Sequence, residues 1–269
     1  MVYITLTTIP TRLITRYNYH MKECILSLLN QTYEDYEIHL NIPSKLKLTG
    51  EDYIIPEWLT ELVEENKNKL KLFTDLEDLG PVTKLLPTVK RLDNPDDIII
   101  VVDDDHVYDS RVIEEHLKHR EKYPENPVGY DGLDAIDKHW KDVRNYFCTG
   151  IRKDARVKVL QHYKTISYRR YFFEDDFEDF VTKHLTWNDD LLISAYMASK
   201  ERHRWVTFHP DDPTDHENEQ KWRESLNKTF PIHRHTEHEE KEGWNIFRND
   251  DKYKPDIQGL YSFIDKQPV

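Results

Sequence analysis

The apolar positions in the first part of the chain follow two spacings, one typical of strands and one typical of helices. Alternating or β-branched apolar residues indicate short strands, and apolar residues that recur every three or four positions indicate amphipathic helices between them. Proline and glycine stand at several of the boundaries. This pattern predicts strands at 2–8, 36–42 and 70–73 and helices at 21–30, 56–65 and 83–92.

The most apolar segment is 97–102, Asp-Ile-Ile-Ile-Val-Val, which shows almost no alternation. A strand of this composition is normally buried on both faces, as in the middle of a parallel sheet that is covered by helices. A helix is predicted directly after it, at 111–120. The regular order of strands and helices therefore predicts a doubly wound α/β domain.

The second half of the chain is less regular. The pattern predicts short strands at 157–160, 165–169 and 204–208 and an amphipathic helix at 190–199. From residue 210 onward the chain is polar and has few apolar clusters. We therefore expect an α/β domain at 1–209 and a polar C-terminal extension at 210–269 that packs on the domain or is partly mobile.

The 269 residues carry a formal net charge of -13. Nucleic acid and anionic membranes are themselves negative, so neither is expected as a general partner, and an anionic nucleotide needs a local cation. The two cysteines, Cys24 and Cys148, lack metal-site spacing and are expected to be reduced thiols. The chain shows no secretory signal and no apolar stretch of membrane-spanning length, which predicts a cytoplasmic protein without a transmembrane segment.

Three consecutive carboxylates, Asp103, Asp104 and Asp105, directly follow the most apolar strand. In open α/β sheets, ligands bind beyond the carboxyl ends of the strands. Adjacent carboxylates repel one another, and oxygen ligands of this kind suit Mg²⁺ or Mn²⁺, which also accept diphosphate oxygens. The alternative is an acidic turn that caps the next helix, although Asp109 and Ser110 are already placed for that role. The position therefore favours a metal site.

A second acidic pair, Asp189 and Asp190, stands at the start of the predicted late helix. The helix dipole stabilises carboxylates at a helix N-terminus, so capping explains one of the two but not both. Asp190 is a candidate general base, a role that requires hydrogen-bonding reach of an acceptor hydroxyl. Capping remains the alternative for Asp190.

The third candidate is Lys84. Gly80 and Pro81 form a turn that leads into a predicted helix, and Lys84 emerges in the first turn of that helix. Helix N-termini favour phosphate, and a lysine there adds positive charge. The alternative is an ordinary exposed lysine on a surface helix.

Five segments, in order along the chain, together resemble one known family. They are 7–12 (TTIPTR), 27–32 (SLLNQT), 80–87, 102–108 (VDDDHVY) and the acidic pair at 189–190. In combination they resemble the small GT-A-fold glycosyltransferases related to family 2, which include enzymes that large DNA viruses use to glycosylate capsid protein. The resemblance extends from about residue 3 to about residue 208.

The resemblance implies a GT-A domain, with a mixed, mostly parallel central sheet and helices on both faces. It also implies a nucleoside-diphosphate-sugar donor, expected to be UDP-linked. Thr8, Pro10 and Arg12 would line the nucleoside pocket of this donor, and Lys84 would approach the donor.

By the same resemblance, the run at 103–105 is the DxD motif. Asp103 and Asp104 would lie at the donor, and Asp105, together with Asp103, would bind Mn²⁺ or Mg²⁺. His209, after the last predicted strand, matches a late histidine that many GT-A enzymes place on the metal.

The resemblance places Asp190 at the usual position of the base, with Asp189 as its neighbour. The implied reaction transfers a hexose or deoxyhexose to a hydroxyl of a glycan or glycoprotein acceptor, with inversion of the anomeric centre. If the enzyme is viral, its expected location is the host cytoplasm.

Two other classes of function remain open at this point. Asp103 to Val107 matches the DxDx(T/V) pattern of haloacid-dehalogenase-type phosphatases, in which Asp103 and Asp105 would be catalytic. In that fold, however, the strand that carries the nucleophile usually comes near the start of the domain. The second alternative is a non-catalytic module that binds a nucleotide sugar, which retention of both acidic sites disfavours.

Overall fold

The computed structural model describes residues 1–14, 18–47, 49–135, 143–148, 150–184, 188–208, 260 and 262–264. The strands are β1 (Val2–Leu6), β2 (Tyr36–Pro43), β3 (Leu70–Leu76), β4 (Ile98–Val101), β5 (Val128–Gly129), β6 (Asp131–Ala135), β7 (Val143–Phe147), β8 (Ala155–Val157), β9 (Val159–Leu160), β10 (Ile166–Arg169) and β11 (Arg204–Val206). The helices are α1 (Pro10–Ile14), α2 (Asn18–Leu29), α3 (Glu57–Glu65), α4 (Leu86–Arg91), α5 (Val112–Lys122), α6 (Phe177–Lys183) and α7 (Asp189–Ser199). Short 3₁₀ turns cover Val82–Lys84, His162–Lys164 and Arg170–Phe172.

The central sheet has eight strands in the order β3-β2-β1-β4-β10-β5-β11-β8. The first four strands in this order are parallel to one another, whereas β10 is antiparallel to both β4 and β5. β4 lies between β1 and β10, as its continuous apolar run predicts. A smaller sheet has the order β7-β6-β9. The predicted mixed, mostly parallel sheet is confirmed.

Successive residues of β4, and Val102 directly after it, pack into two different hydrophobic cores. Ile99 and Val101 belong to a core that includes the fully buried Leu192 of α7. Ile100 and Val102 belong to a second core, which contains residues of α2, α3 and α5. Because successive side chains of a strand point to opposite faces, this division places helices on both sides of the sheet.

The structure differs from the predicted elements where proline or short strands occur. The predicted helix at 83–92 is two pieces, the turn Val82–Lys84 and then α4, because Pro87 has no N–H to continue a helix and is accommodated in the first turn of a new one. The predicted strand at 157–160 is divided between β8 and β9, which join different sheets. β5, β6, β7, α1 and α6 were not predicted; β6 contains Gly and Asp, which have low strand propensity.

A short part of the predicted extension packs on the domain. Leu260 and Ile264 are fully buried in the core that contains α7, and the Phe263 ring centroid lies 5.5 Å from that of Phe180. Residues 209–259 lie outside the described residues, so the boundary at 209 stays a prediction. Among the helices that the structure describes, none combines the length and the apolar character needed to cross a bilayer.

Candidate active site

The predicted site residues gather at the carboxyl end of the parallel strands. Thr8 follows β1, and Asp103 follows β4, which is the neighbouring strand. The Val102 N–H still donates to the Thr5 carbonyl at 3.1 Å, so the two strands remain paired up to the aspartate run. Neighbouring parallel strands end at the same edge of a sheet, which is where ligands bind in this class of fold.

Lys84 joins the two acidic segments. Its Nζ lies 2.6 Å from Asp103 Oδ1, after β4, and 2.7 Å from Asp189 Oδ2, at the start of α7. The Lys84 side chain is only 5% exposed, so the alternative of an ordinary surface lysine is wrong. One ammonium group thus stands between the two carboxylate clusters that sequence analysis singled out separately.

The backbone of Lys84 is held by buried polar side chains. Its carbonyl oxygen accepts hydrogen bonds from Thr5 Oγ1 and from Asn41 Nδ2, the latter at 3.3 Å. Thr88 Oγ1 completes the group, 2.8 Å from Thr5 Oγ1 and 3.1 Å from Asn41 Nδ2. Buried polar groups are costly without partners, so this network fixes the 3₁₀ turn against β1 and β2.

The surroundings of Lys84 keep it charged. Burial by itself lowers the pKa of the ammonium group, but the carboxylates of Asp103, Asp189 and Asp190 outweigh burial and raise the pKa above its usual value. Lys84 therefore offsets part of the negative charge of the two acidic groups at this edge of the sheet.

Asp104 is an internal member of the aspartate run. Its side chain is 6% exposed, and its two oxygens accept hydrogen bonds from Thr8 Oγ1 and from the Arg12 guanidinium. Burial raises the pKa of Asp104, and the Arg12 charge opposes that shift. Asp104 therefore fixes Arg12 and Thr8 relative to β4, and its contact with a donor stays a prediction.

Asp105 and Asp103 are the accessible members of the run, with side chains 41% and 31% exposed. Asp105 Oδ1 lies 2.7 Å from His106 Nδ1, and its Oδ2 lies 3.2 Å from Arg12 Nη2. The first and third carboxylates thus face solvent while the second is internal. Partly exposed carboxylates are suitable ligands for Mg²⁺ or Mn²⁺, so these residues fit the predicted metal.

The cap of α7 is neither of the two aspartates. Asn188 is the N-cap residue, and its Oδ1 accepts the Leu191 N–H at 2.9 Å. Asp189 and Asp190 occupy the first turn of the helix. The expectation that capping explains one aspartate of the pair is therefore wrong, and both are left with other partners.

Asp190 is bound by His162, which sequence analysis did not identify. Asp190 Oδ1 lies 2.8 Å from the His162 backbone nitrogen and 2.6 Å from His162 Nδ1. The Asp190 side chain is 27% exposed, compared with 11% for Asp189. Asp190 is thus the more accessible acid of the pair, as a base for an external hydroxyl must be.

His162, Asp189 and Asp190 also form a group whose possible metal-ligating atoms lie within 4.8 Å of one another. Lys84 Nζ already stands 2.7 Å from Asp189 Oδ2. The same ammonium lies 2.6 Å from Asp103 Oδ1, so its charge opposes a divalent cation at either group and does not distinguish them. The run at 103–105 stays the predicted metal site, because Asp105 is 41% exposed and the run directly follows β4.

Most of the predicted site residues meet at one place. Thr8, Arg12, Lys84, the aspartate run and the late acidic pair are brought together, and the buried Pro10 begins α1, which carries Arg12. His209 lies outside the described residues. His106 and His162 were missed, because nothing in their spacing marks them as partners of particular carboxylates.

By sequence, the chain matches no protein-family profile and no curated protein. Its structure is similar to that of a mannosyltransferase from Pyrobaculum calidifontis in complex with GDP-Man and Mn²⁺, with 14% identity, a TM-score of 0.50 and coverage of 82% of this chain and 59% of that chain. It is also similar to TarS of S. aureus, with 16% identity, a TM-score of 0.50 and coverage of 99% of this chain and 49% of that chain. The chain therefore spans about half to three-fifths of these two proteins.

These neighbours define the class of fold. Both are GT-A-like glycosyltransferases, and the mixed α/β sheet of this chain is of the GT-A type. The expected fold class is confirmed. Sequence identity this low shows the fold, and function has to come from the site itself.

A buried acid, Asp131, lies beside the site. Its side chain is fully buried and accepts a hydrogen bond from Tyr163, whose ring centroid is 5.8 Å from that of His106. Burial raises the pKa of Asp131 to about 6, although hydrogen bonds from Tyr163 and from the Gly132 N–H oppose the shift. The folded state therefore binds this proton more tightly than the unfolded chain, in which an aspartate has a pKa of about 3.9.

This difference predicts a pH-dependent effect of Asp131→Asn. Between about pH 4 and pH 6, the unfolded chain releases the Asp131 proton before the folded state does, so wild-type stability falls as pH rises and the loss is complete above the folded pKa. Asn cannot ionise. The free energy of unfolding of Asp131→Asn minus that of wild type should therefore be about 2 kcal/mol larger at pH 7.5 than at pH 4.5. Urea unfolding of both proteins at the two pH values measures this difference.

Asp154→Asn is the matched control of opposite sign. Burial raises the pKa of Asp154, but hydrogen bonds from Lys122, Tyr123 and the Phe208 N–H outweigh burial and leave the pKa below its usual value. Its contribution to stability is present at neutral pH and disappears as pH falls through the folded pKa. Asp154→Asn should therefore be destabilising at pH 7.5. Equal pH dependence for wild type and Asp131→Asn would contradict the assignment of a buried, protonatable Asp131.

Proposed function

We propose that this chain is a metal-dependent glycosyltransferase that moves a sugar from a nucleoside-diphosphate donor to an acceptor hydroxyl. The observation that carries the proposal is the meeting of two acidic groups at Lys84, beyond the carboxyl ends of the parallel strands of a GT-A sheet. Apart from Lys84, the two groups have separate partners, Arg12 for Asp105 and His162 for Asp190. Two such groups of carboxylates suit two tasks, cation binding and proton abstraction.

The donor end of the site is assigned to the residues around β1 and β4. Asp105, with Asp103, would hold Mn²⁺ or Mg²⁺, which when bound stabilises negative charge on a departing diphosphate. Arg12 and Lys84 supply fixed positive charge on either side of the aspartate run. Thr8 and Pro10 lie where β1 leads into α1, next to Arg12, and we assign them to the nucleoside.

The acceptor end is assigned to α7. Asp190 would take the proton from the attacking hydroxyl, while Asp189, bound to Lys84, would help to keep that ammonium in place. The helix dipole favours negative charge at both positions, because they occupy the first turn of α7. His209 is proposed as a further metal ligand on the family resemblance alone.

The finer assignments follow the same resemblance. We propose a UDP-linked hexose or deoxyhexose donor, a glycan or glycoprotein acceptor and inversion at the anomeric centre, as in family 2 and its viral capsid-glycosylating relatives. The mannosyltransferase neighbour, which was solved with GDP-Man and Mn²⁺, supports a nucleotide sugar and a divalent cation as the ligand classes.

The phosphatase alternative is disfavoured by topology. Its nucleophile strand is expected near the start of the domain, whereas β4 follows three other strands of the sheet. Asp103 Oδ1 is also engaged by the Lys84 ammonium, and Asp190 would have no role in that reaction. A non-catalytic binding module is disfavoured by the accessible Asp190.

The metal assignment predicts the behaviour of Asp105→Asn. In wild type, Mn²⁺ and UDP together should raise the melting temperature more than either alone, because binding to the folded state stabilises it. Asp105→Asn should lose this joint effect. Asp96→Asn is the matched control, since Asp96 precedes β4, is 79% exposed and carries the same charge. A joint shift in Asp105→Asn that equals the wild-type shift would contradict the metal assignment.

The base assignment predicts a different outcome for Asp190→Asn. General-base assistance contributes about 10²- to 10⁴-fold, so transfer to acceptor should fall by that order while the Mn²⁺-dependent nucleotide shift is kept. The measurement is kcat for sugar transfer together with the thermal shift.

Asp189→Asn separates the two acids of the pair. It removes a partner of Lys84 and should weaken nucleotide binding as well as transfer, because the ammonium is then less well held. If Asp190→Asn keeps full activity while Asp189→Asn loses only turnover, the base is Asp189 and the assignment moves by one residue.

A further inference from the structure

We propose that His162 is a positioning residue that fixes Asp190 for proton abstraction and thereby determines which acid of the pair acts as the base. This inference rests on the proposed function. It concerns the neighbouring side chain that orients the base, and it is carried by the hydrogen bonds between the turn His162–Lys164 and the start of α7.

The contact between the two residues is double and directed at one atom. The His162 backbone N–H and the ring Nδ1 both lie within hydrogen-bonding distance of Asp190 Oδ1, at 2.8 and 2.6 Å. The His162 side chain is 1% exposed, so the bond is shielded from water. Two donors on one carboxylate oxygen restrict rotation of the carboxylate about its terminal bond.

A tyrosine on the far side of the ring is the partner of its second nitrogen. Tyr168 Oη lies 3.0 Å from His162 Nε2. Burial, with Asp190 and Asp189, raises the pKa of Tyr168 well above its usual value, so the hydroxyl keeps its proton and can donate a hydrogen bond to Nε2. An ionised carboxylate only accepts, so the ring hydrogen is on Nδ1 and points to Asp190.

The series of hydrogen bonds from Tyr168 through His162 to Asp190 starts at a residue of the central sheet. Tyr168 is in β10, paired with Ile99 of β4 in the centre of the sheet. Its ring packs 5.3 Å from that of Phe173, measured between centroids. Groups that orient a reacting side chain need such support, because small displacements of that side chain are costly in rate.

The carboxylates of Asp189 and Asp190 differ in their partners and in their exposure. Asp189 Oδ2 is 2.7 Å from Lys84 Nζ and 3.2 Å from His162 Nδ1, which is 2.6 Å from Asp190 Oδ1. Asp190 is held through Oδ1, by the ring and by the His162 backbone N–H, and, within the part of the chain that the structure describes, its Oδ2 receives no hydrogen bond. Asp190 is also the more exposed acid of the pair, at 27% compared with 11%, so we assign acceptance of the proton to Asp190 Oδ2.

The test compares His162→Ala with His162→Asn in the full-length protein. Alanine removes the ring donor and keeps the backbone N–H, whereas the side-chain amide of asparagine can place an N–H near the position of Nδ1. We expect His162→Ala to lower kcat for transfer by about 10- to 100-fold with donor KM changed less than about threefold, and His162→Asn to recover most of the loss.

His39→Ala is the matched control. His39 is also buried and also pairs with a carboxylate, 2.7 Å from its Nε2 to Glu37 Oε1, but it is on β2 and away from Asp190. Its Nδ1 lies 3.3 Å from Thr88 Oγ1 of the group that holds the Lys84 turn, so His39→Ala should act on the melting temperature and on donor KM and leave kcat near the wild-type value. If His162→Ala does not fold, Tyr168→Phe decides, because it removes one hydroxyl and should lower kcat several-fold.

Each outcome separates this inference from the proposed function. A wild-type protein that transfers no sugar from any nucleotide sugar overturns the proposed function and this inference with it. An active wild type with unchanged kcat in His162→Ala, or in Tyr168→Phe where that variant decides, overturns the inference alone. Loss of Mn²⁺ binding in His162→Ala, measured by electron paramagnetic resonance, would make His162 a metal ligand and would also overturn it.

Discussion

The interaction on which the site depends is the buried ion group of Lys84 with Asp103 and Asp189. A buried ammonium is stable only with close anionic partners, and here these partners come from distant parts of the chain, one after β4 and one at the start of α7. The 3₁₀ turn, the aspartate run and α7 are thereby constrained together. Any movement of α7 away from the sheet would remove one of the two carboxylates that pair with the buried ammonium.

The same ion group bears on how an acidic protein could receive an anionic ligand. The net charge of -13 opposes a nucleoside diphosphate at long range. Lys84 and Arg12 offset part of the negative charge of the aspartate run, and a divalent cation on Asp105 would offset more. At the start of α7, the hydrogen bonds that link Tyr168, His162 and Asp190 leave one carboxylate oxygen of Asp190 accessible. Cation binding after β4 and proton abstraction at α7 are thus assigned to different elements of the fold.

Features that depend on neighbouring residues alone could be predicted from the sequence. The continuous apolar run before Asp103 predicts a central strand, and consecutive carboxylates at its end predict a ligand site, because both inferences need only neighbouring residues. The burial of Lys84, the Arg12–Asp104 pair and the His162–Asp190 contact depend on which distant segments meet, and no spacing within the chain encodes them. Asn188 was likewise overlooked as the cap, because two aspartates follow it and are plausible caps themselves.

The most direct test of the account is a crystal structure of the protein with Mn²⁺ and UDP, with the cation located by its anomalous signal. We expect a manganese peak on the Asp105 carboxylate with the diphosphate on the same ion, and Lys84 still between Asp103 and Asp189. A peak on His162, Asp189 and Asp190, or no peak at the aspartate run while UDP is bound elsewhere, would contradict it.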